Sequence, residues 1–90
     1  MTRAVVVRIT GRVQGVSFRA YAAHEAVRLE LVGWARNEPD GAVAAHLEGP
    51  DDAVEEMLTW CRRGSPAARV ADVEVSEVEP TGASSFEIDY

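Results

Sequence analysis

Nine consecutive residues, Gly11 to Arg19 in the order G-R-V-Q-G-V-S-F-R, carry the residue types needed to hold an anion. Two glycines within five residues let a loop turn its backbone N–H groups inward, because a residue without a side chain takes φ > 0 and allows a ligand close approach. The alanine-rich run that follows reads as a helix, whose first turn directs unpaired N–H donors and the positive end of the helix dipole at the loop. Arg19 adds a planar fork of donors suited to phosphate. The stretch is thus a phosphate-sized cradle, although two glycines at this spacing also serve simply to turn a chain.

Other residue types limit the chemistry. The chain contains no lysine, which excludes a P-loop lysine and a Schiff base. Cys61 is the only cysteine, so neither an internal disulfide nor a thiolate metal cluster holds the fold. His24 and His46 stand on different elements without a second ligand at metal spacing, which favours surface or sheet-face roles and no metal.

The elements that must position the cradle follow from hydrophobic periodicity. Val5, Val7 and Ile9 alternate with Ala4, Val6 and Arg8, a strand that feeds the loop. Phe18, Ala22, Ala26 and Leu29 recur at helical spacing, which predicts an amphipathic helix from about Phe18 to Glu30. Leu31 to Arg36 reads as a second strand, and Glu38-Pro39-Asp40-Gly41 as a tight turn. Val43, Ala45 and Leu47 alternate in a third strand, Ala42 to Glu48. Pro50-Asp51-Asp52 opens a second helix with negative charge at its N-terminus, Arg62 and Arg63 precede Gly64 at its end, and Val54, Met57, Leu58 and Cys61 form its apolar stripe. That stripe makes Cys61 a small core hydrophobe rather than a nucleophile.

A fourth strand carries Ala71, Val73 and Val75, and Val78 falls out of its alternation, which predicts a bulge or strand end near Ser76 to Val78. Phe86, Ile88 and Tyr90 alternate with Glu87 and Asp89 in a short fifth strand. The order is βαββαβ with a terminal strand, an α+β, split-βαβ arrangement with two helices on one face of an antiparallel sheet. In that topology strands one and two run the same way with strand three between them, so their C-terminal ends lie roughly 10 Å apart. The loop and Arg19 stand at one end and Asn37 at the other, close enough for a bound anion to bridge, although Asn37 taken alone is also an ordinary turn residue.

Length and charge bound the rest. Ninety residues suit one domain, 1–90, and the 47% hydrophobic and 27% charged fractions are those of a soluble globular chain. No apolar run approaches the ~18 residues of a membrane span, and Val5 to Val7 between Arg3 and Arg8 is too short a core for a signal peptide, so a cytoplasmic location is expected. Residues 1–37 carry six arginines against Glu25 and Glu30, whereas residues 38–90 carry three arginines against thirteen acids. Arg8, Arg12, Arg19 and Arg36 lie in or beside the elements flanking the loop, which permits a local positive field on an acidic molecule, or a set of solvated surface arginines. The βαββαβ order also occurs in RNA-recognition modules, but a net charge of −6 and strands offering Val, Ala and His46 instead of exposed aromatics argue against nucleic acid.

G-R-V-Q-G-V-S-F-R followed by G-W-A-R-N-E-P-D-G-A-V resembles the acylphosphatases, small hydrolases of carboxyl-phosphate anhydrides. The resemblance extends through G-P-D-D-A-V, G-S-P-A-A-R-V-A-D-V and the closing F-E-I-D-Y, essentially the whole chain. It implies a ferredoxin-like α/β sandwich, Arg19 as the phosphate ligand, and phosphate-binding backbone amides at Gln14, Gly15, Val16, Ser17 and Phe18. It also implies Asn37 as the residue holding the attacking water, with no metal or organic cofactor. A monomer acting on a small-molecule acyl phosphate is expected. The chemistry is consistent with the residues: no His, Cys or Asp near the cradle is a clear general acid, and an acyl phosphate releases a carboxylate that needs no protonation. The alternative is a non-catalytic module binding phosphate-like anions, since the same fold and loop occur in a domain of hydrogenase maturation factors.

Overall fold

Val5, Val7 and Ile9, buried in alternation with the less buried Val6 and Arg8, lie on an inner strand of the sheet in the computed structural model, which describes residues 2–89. The elements are β1 (Thr2–Arg12), α1 (Phe18–Arg28), β2 (Val32–Asn37), β3 (Val43–Pro50), α2 (Asp51–Arg63), β4 (Arg69–Val78) and β5 (Phe86–Asp89). They form one sheet in the order β4-β1-β3-β2-β5. Val5, Val7, Ile9, Val43, Leu47 and Ala35 turn one face of that sheet toward Phe18, Ala22 and Ala26 of α1 and Val54, Met57 and Cys61 of α2, and this is the core. The two helices therefore share one face, as expected. Neither α1 nor α2, nor any other helix among the described residues, is long and apolar enough to cross a membrane.

Four strands pair antiparallel, but β5 pairs parallel to β2, which makes the sheet mixed where an antiparallel one is expected. The reason lies in one row of paired residues, Val32, Glu48, Ala4 and Val78, at one end of the sheet. There β2 begins and β4 ends. Residues 79–85 cross from one edge to the other at that same end, so β5 sets out along β2 in the same direction. Tyr90, which the alternation assigns to this strand, lies outside the described residues.

β2 and β3 are displaced by one or two residues from the expected Leu31 to Arg36 and Ala42 to Glu48, and α1 and β4 differ in ways that have a local cause. α1 stops at Arg28 rather than Glu30, because Glu30 takes φ 60° and the Leu31 amide returns to the Ala26 carbonyl at 2.8 Å, a left-handed helix stop. In β4 the register shift falls opposite Thr10 and Gly11, where Asp72 and then Val70 are the partners and Ala71 is skipped. The bulge therefore lies at Ala71, not at Ser76 to Val78. It turns Val70 and Val73 both toward the core while Ala71 is exposed. Val78 needs no bulge, since it pairs with Ala4 on the helix-free face.

Gly33 explains how closely β2 and β3 approach. A Cβ built there would lie 1.8 Å from the His46 carbonyl oxygen, and the residue has φ 137°, so only glycine fits. Cys61 is buried in the core as read, and burial pushes its thiol up to about 12, which removes it from nucleophilic chemistry at neutral pH.

Candidate active site

Ile9, Val43 and Asn37 stand in one row across β1, β3 and β2. Asn37 ends β2 on that row, whereas β1 runs three residues further, to Arg12, before the chain turns through residues 13–17 into α1. Gly11 and Arg12, expected in the loop, thus belong to the strand and pair with Val70 and Arg69. The loop proper has two left-handed residues, Gly15 at φ 74° and Ser17 at φ 60°. Ser17 occupies the N-cap position of α1 without a side-chain capping bond, and the first turn contains no acid. The first turn therefore sets no carboxylate of its own beside its backbone donors and the positive end of the helix.

The loop is anchored from below and from the side. Val13 and Val16 are buried in the core, and the Ser65 hydroxyl donates to the Val16 carbonyl at 3.0 Å. Phe18 packs on Trp60 with ring centroids 5.1 Å apart, which fixes the start of α1 against α2. Gly15, Ser17, Phe18, Arg19, Asn37 and Ile88 then line one cavity of about 360 Å³, and an adjoining one of about 280 Å³ is lined by Arg19, Arg36, Asn37 and Asp89. Arg19 donates from Nη1 to the Asp89 carbonyl at 3.0 Å, so β5 braces the guanidinium.

The cavity brings together Gly15, Ser17, Phe18, Arg19 and Asn37 from the expected set. Gln14 and Val16, whose backbone amides belong to the expected set, do not line it: Val16 is buried in the core, and the Gln14 side chain donates to the carbonyls of Glu38 and Ala42 at 2.8 and 2.9 Å. Those carbonyls bracket the turn that follows Asn37. The same turn is closed by Glu38 N–H to the Ala42 carbonyl, by Gly41 N–H to the Glu38 carbonyl and by Ala42 N–H to the Asp40 carboxylate. Arg8 also binds Asp40, and the pair holds the Asp40 carboxyl below the usual carboxylate range. Gln14 therefore ties the cradle to the segment carrying Asn37, a role no periodicity signals in a lone loop glutamine. Ile88 is likewise an unexpected lining residue, since it reaches the cavity only through the parallel β2–β5 pairing.

The local field is narrower than four arginines suggest. Arg8 is paired with Asp40, and Arg36 lies over the Trp34 ring at 4.5 Å with its Nε 3.3 Å from Glu38. Of these arginines Arg19 lines both adjoining cavities, and Arg36 lines only the smaller of the two. The larger cavity presents no carboxyl, imidazole or thiol among the described residues, and no cluster of His, Cys, Asp and Glu among them could hold a metal ion.

Replacing Gln14 tests the cross-link. Gln14→Ala removes two hydrogen bonds from partly buried carbonyls, at about 0.5–1.5 kcal/mol each, and loosens the spacing between cradle and Asn37. We expect kcat to fall roughly tenfold and the phosphate inhibition constant to change less than about twofold, since geometry suffers more than charge. Gln14→Glu, isosteric but without donors, should be no better. Steady-state kinetics with phosphate as inhibitor decides it; an unaltered kcat in both variants would reduce Gln14 to a surface tie.

Comparison with known proteins points the same way. The acylphosphatase family model matches residues 5–88. A curated acylphosphatase of Nocardioides sp. is 54% identical over 86 residues, spanning 96% of this chain and 87% of its own length. Among solved structures, the acylphosphatase from Bacillus subtilis has a TM-score of 0.93 at 36% identity, with 100% of each chain covered. That of Coxiella burnetii has 0.95 at 31%, with 98% of this chain and 93% of the other covered.

Proposed function

The chain belongs to the acylphosphatase family and hydrolyses acyl phosphates, and from that premise we propose that Arg19 and the loop amides hold the phosphate while Asn37 aims the attacking water. The observation that carries this reading is the single cavity shared by Gly15, Ser17, Phe18, Arg19 and Asn37 at the opening of α1. The amides of Gln14 to Phe18 and the guanidinium supply charge-assisted hydrogen bonds to phosphate oxygens. The Asn37 amide oxygen accepts a hydrogen bond from water and sets its oxygen in line with the bridging P–O bond.

In the chemical step the water oxygen bonds to phosphorus as the bridging P–O bond breaks, and that electron pair leaves on the carboxylate. One water proton passes to a phosphate oxygen of the substrate. The leaving group needs no acid, because a carboxylate is stable as an anion at neutral pH, and this fits a cavity lined without a titratable acid among the described residues. Stabilising charge on the transferring group and positioning water are then the protein's whole contribution. All the residues invoked come from one chain, so the reading needs no partner subunit.

Hydrolysis of a simple acyl phosphate in ¹⁸O-labelled water tests the direction of attack. We expect the label in inorganic phosphate and undiminished activity in a chelator. Label in the carboxylate would mean attack at the carbonyl carbon and would undo the role given to Asn37. Phosphate binding with no hydrolysis would leave a module that only binds anions.

A further inference from the structure

On the helix-free face of the sheet, Glu48 of β3 is 4% exposed, although strand alternation places it where a carboxylate would normally meet water. What covers it is the segment between β4 and β5. Glu48 Oε1 accepts from the Thr81 amide at 2.8 Å, the Thr81 hydroxyl at 3.1 Å and His46 Nε2 at 2.9 Å, and Oε2 accepts from the Gly82 amide at 2.9 Å. An ionised carboxylate only accepts, so His46 Nε2 carries the hydrogen. His46 is itself 4% exposed and stacks on Trp34 with ring centroids 6.1 Å apart. The carboxyl is held down to about 2, chiefly by His46 and then by the Thr81 amide, which outweigh burial, so it is ionised at neutral pH.

This node has a mechanical consequence. β4 and β5 lie at opposite edges of the sheet, about four strand spacings or ~19 Å apart, and residues 79–85 must bridge them. β5, with four described residues and one neighbouring strand, is the shortest strand of the sheet and lies at its edge. With Gly82 fixed, only residues 83–85 remain as tether before Phe86. The Gly33 amide donates to the Ser85 carbonyl at 3.0 Å, which continues the anchorage into the β2–β5 ladder. β5 then delivers Ile88 to the cavity wall and the Asp89 carbonyl to Arg19.

We propose that Glu48 is a positioning residue for the anion site: by anchoring Thr81 and Gly82 it sets where β5 lies along β2, and so where Asp89 braces the Arg19 guanidinium. The inference rests on the assignment of Arg19 as phosphate ligand. Glu48 touches no substrate and lies at the far end of the sheet from Asn37.

The test is Glu48→Gln in the full chain. An amide in place of the carboxylate turns an NH₂ group toward amide donors and cannot satisfy all four of them. Well below the unfolding temperature, we expect amide hydrogen exchange at residues 81, 82 and 86–89 to rise at least tenfold while the β1 and β3 amides keep their protection. The phosphate inhibition constant should rise roughly three- to tenfold, reflecting a less well-held guanidinium. Thr81→Pro removes the Thr81 amide and hydroxyl donors without touching the sheet and should raise exchange at residues 86–89 and the inhibition constant alike, which decides the matter should Glu48→Gln not fold. A lowered melting temperature with unchanged β5 exchange, or faster β5 exchange with an unchanged inhibition constant, would overturn the proposal. A wrong assignment of Arg19 shows separately, as an Arg19→Gln enzyme with normal phosphate inhibition and an intact exchange response to Glu48→Gln.

Discussion

Arg19→Gln should lower kcat/KM by roughly 10²–10⁴-fold, the equivalent of two charge-assisted hydrogen bonds of about 1.5–3 kcal/mol each. In the proposed role the guanidinium contacts the phosphate in the ground state as well as the transition state, so phosphate binding should weaken together with turnover. Competitive inhibition by inorganic phosphate reads this directly, and an unchanged inhibition constant would place the anion elsewhere. Arg19→Lys should rescue little. An ammonium restores the charge but not the planar fork, and it cannot donate to the Asp89 carbonyl and to two phosphate oxygens in the same plane. The first turn of α1 carries no other charged side chain, and Arg36, which lines the adjoining cavity, lies over the Trp34 ring with its Nε 3.3 Å from Glu38.

Asn37→Ala should separate binding from chemistry. The side chain is exposed at the end of β2, so its loss should change stability by no more than about 0.5 kcal/mol. The turn behind it stays closed through Asp40, Ala42, Glu38 and Gln14. If Asn37 aims the water as proposed, its loss removes the orienting acceptor, and kcat should fall on the order of 100-fold while the phosphate inhibition constant moves less than about threefold. Asn37→Asp keeps an acceptor in place but sets a negative charge beside an anionic substrate, so both turnover and phosphate affinity should drop. Near-normal turnover by Asn37→Ala would end the water-positioning role.

The family, the order of elements and the residues now proposed for the site were legible in the sequence because they are local properties. Period-two valines make β1, a 3.6-residue stripe with acids before and arginines after makes α2, and Pro39 with Gly41 makes the turn behind Asn37. The cradle motif and Asn37 needed only the split-βαβ topology to be brought to one end of the sheet.

What the tertiary structure alone decided depends on partners distant in the chain. A four-residue strand carries no mark of its direction, so only the crossing at the Val32–Glu48–Ala4–Val78 end made β5 parallel and brought Ile88 and Asp89 to the site. The skipped residue at Ala71 was set by the register of β1 against β4, which alternation within β4 cannot reveal. The sequence offers Gln14 only for its backbone amide and Glu48 only as the end of a strand; their side chains acquire roles only because Glu38, Ala42, Thr81 and Gly82 fold back to within 2.8–2.9 Å of them. Periodicity reports which face a residue takes, and hydrogen bonding between segments 24 to 34 residues apart determines what that face meets.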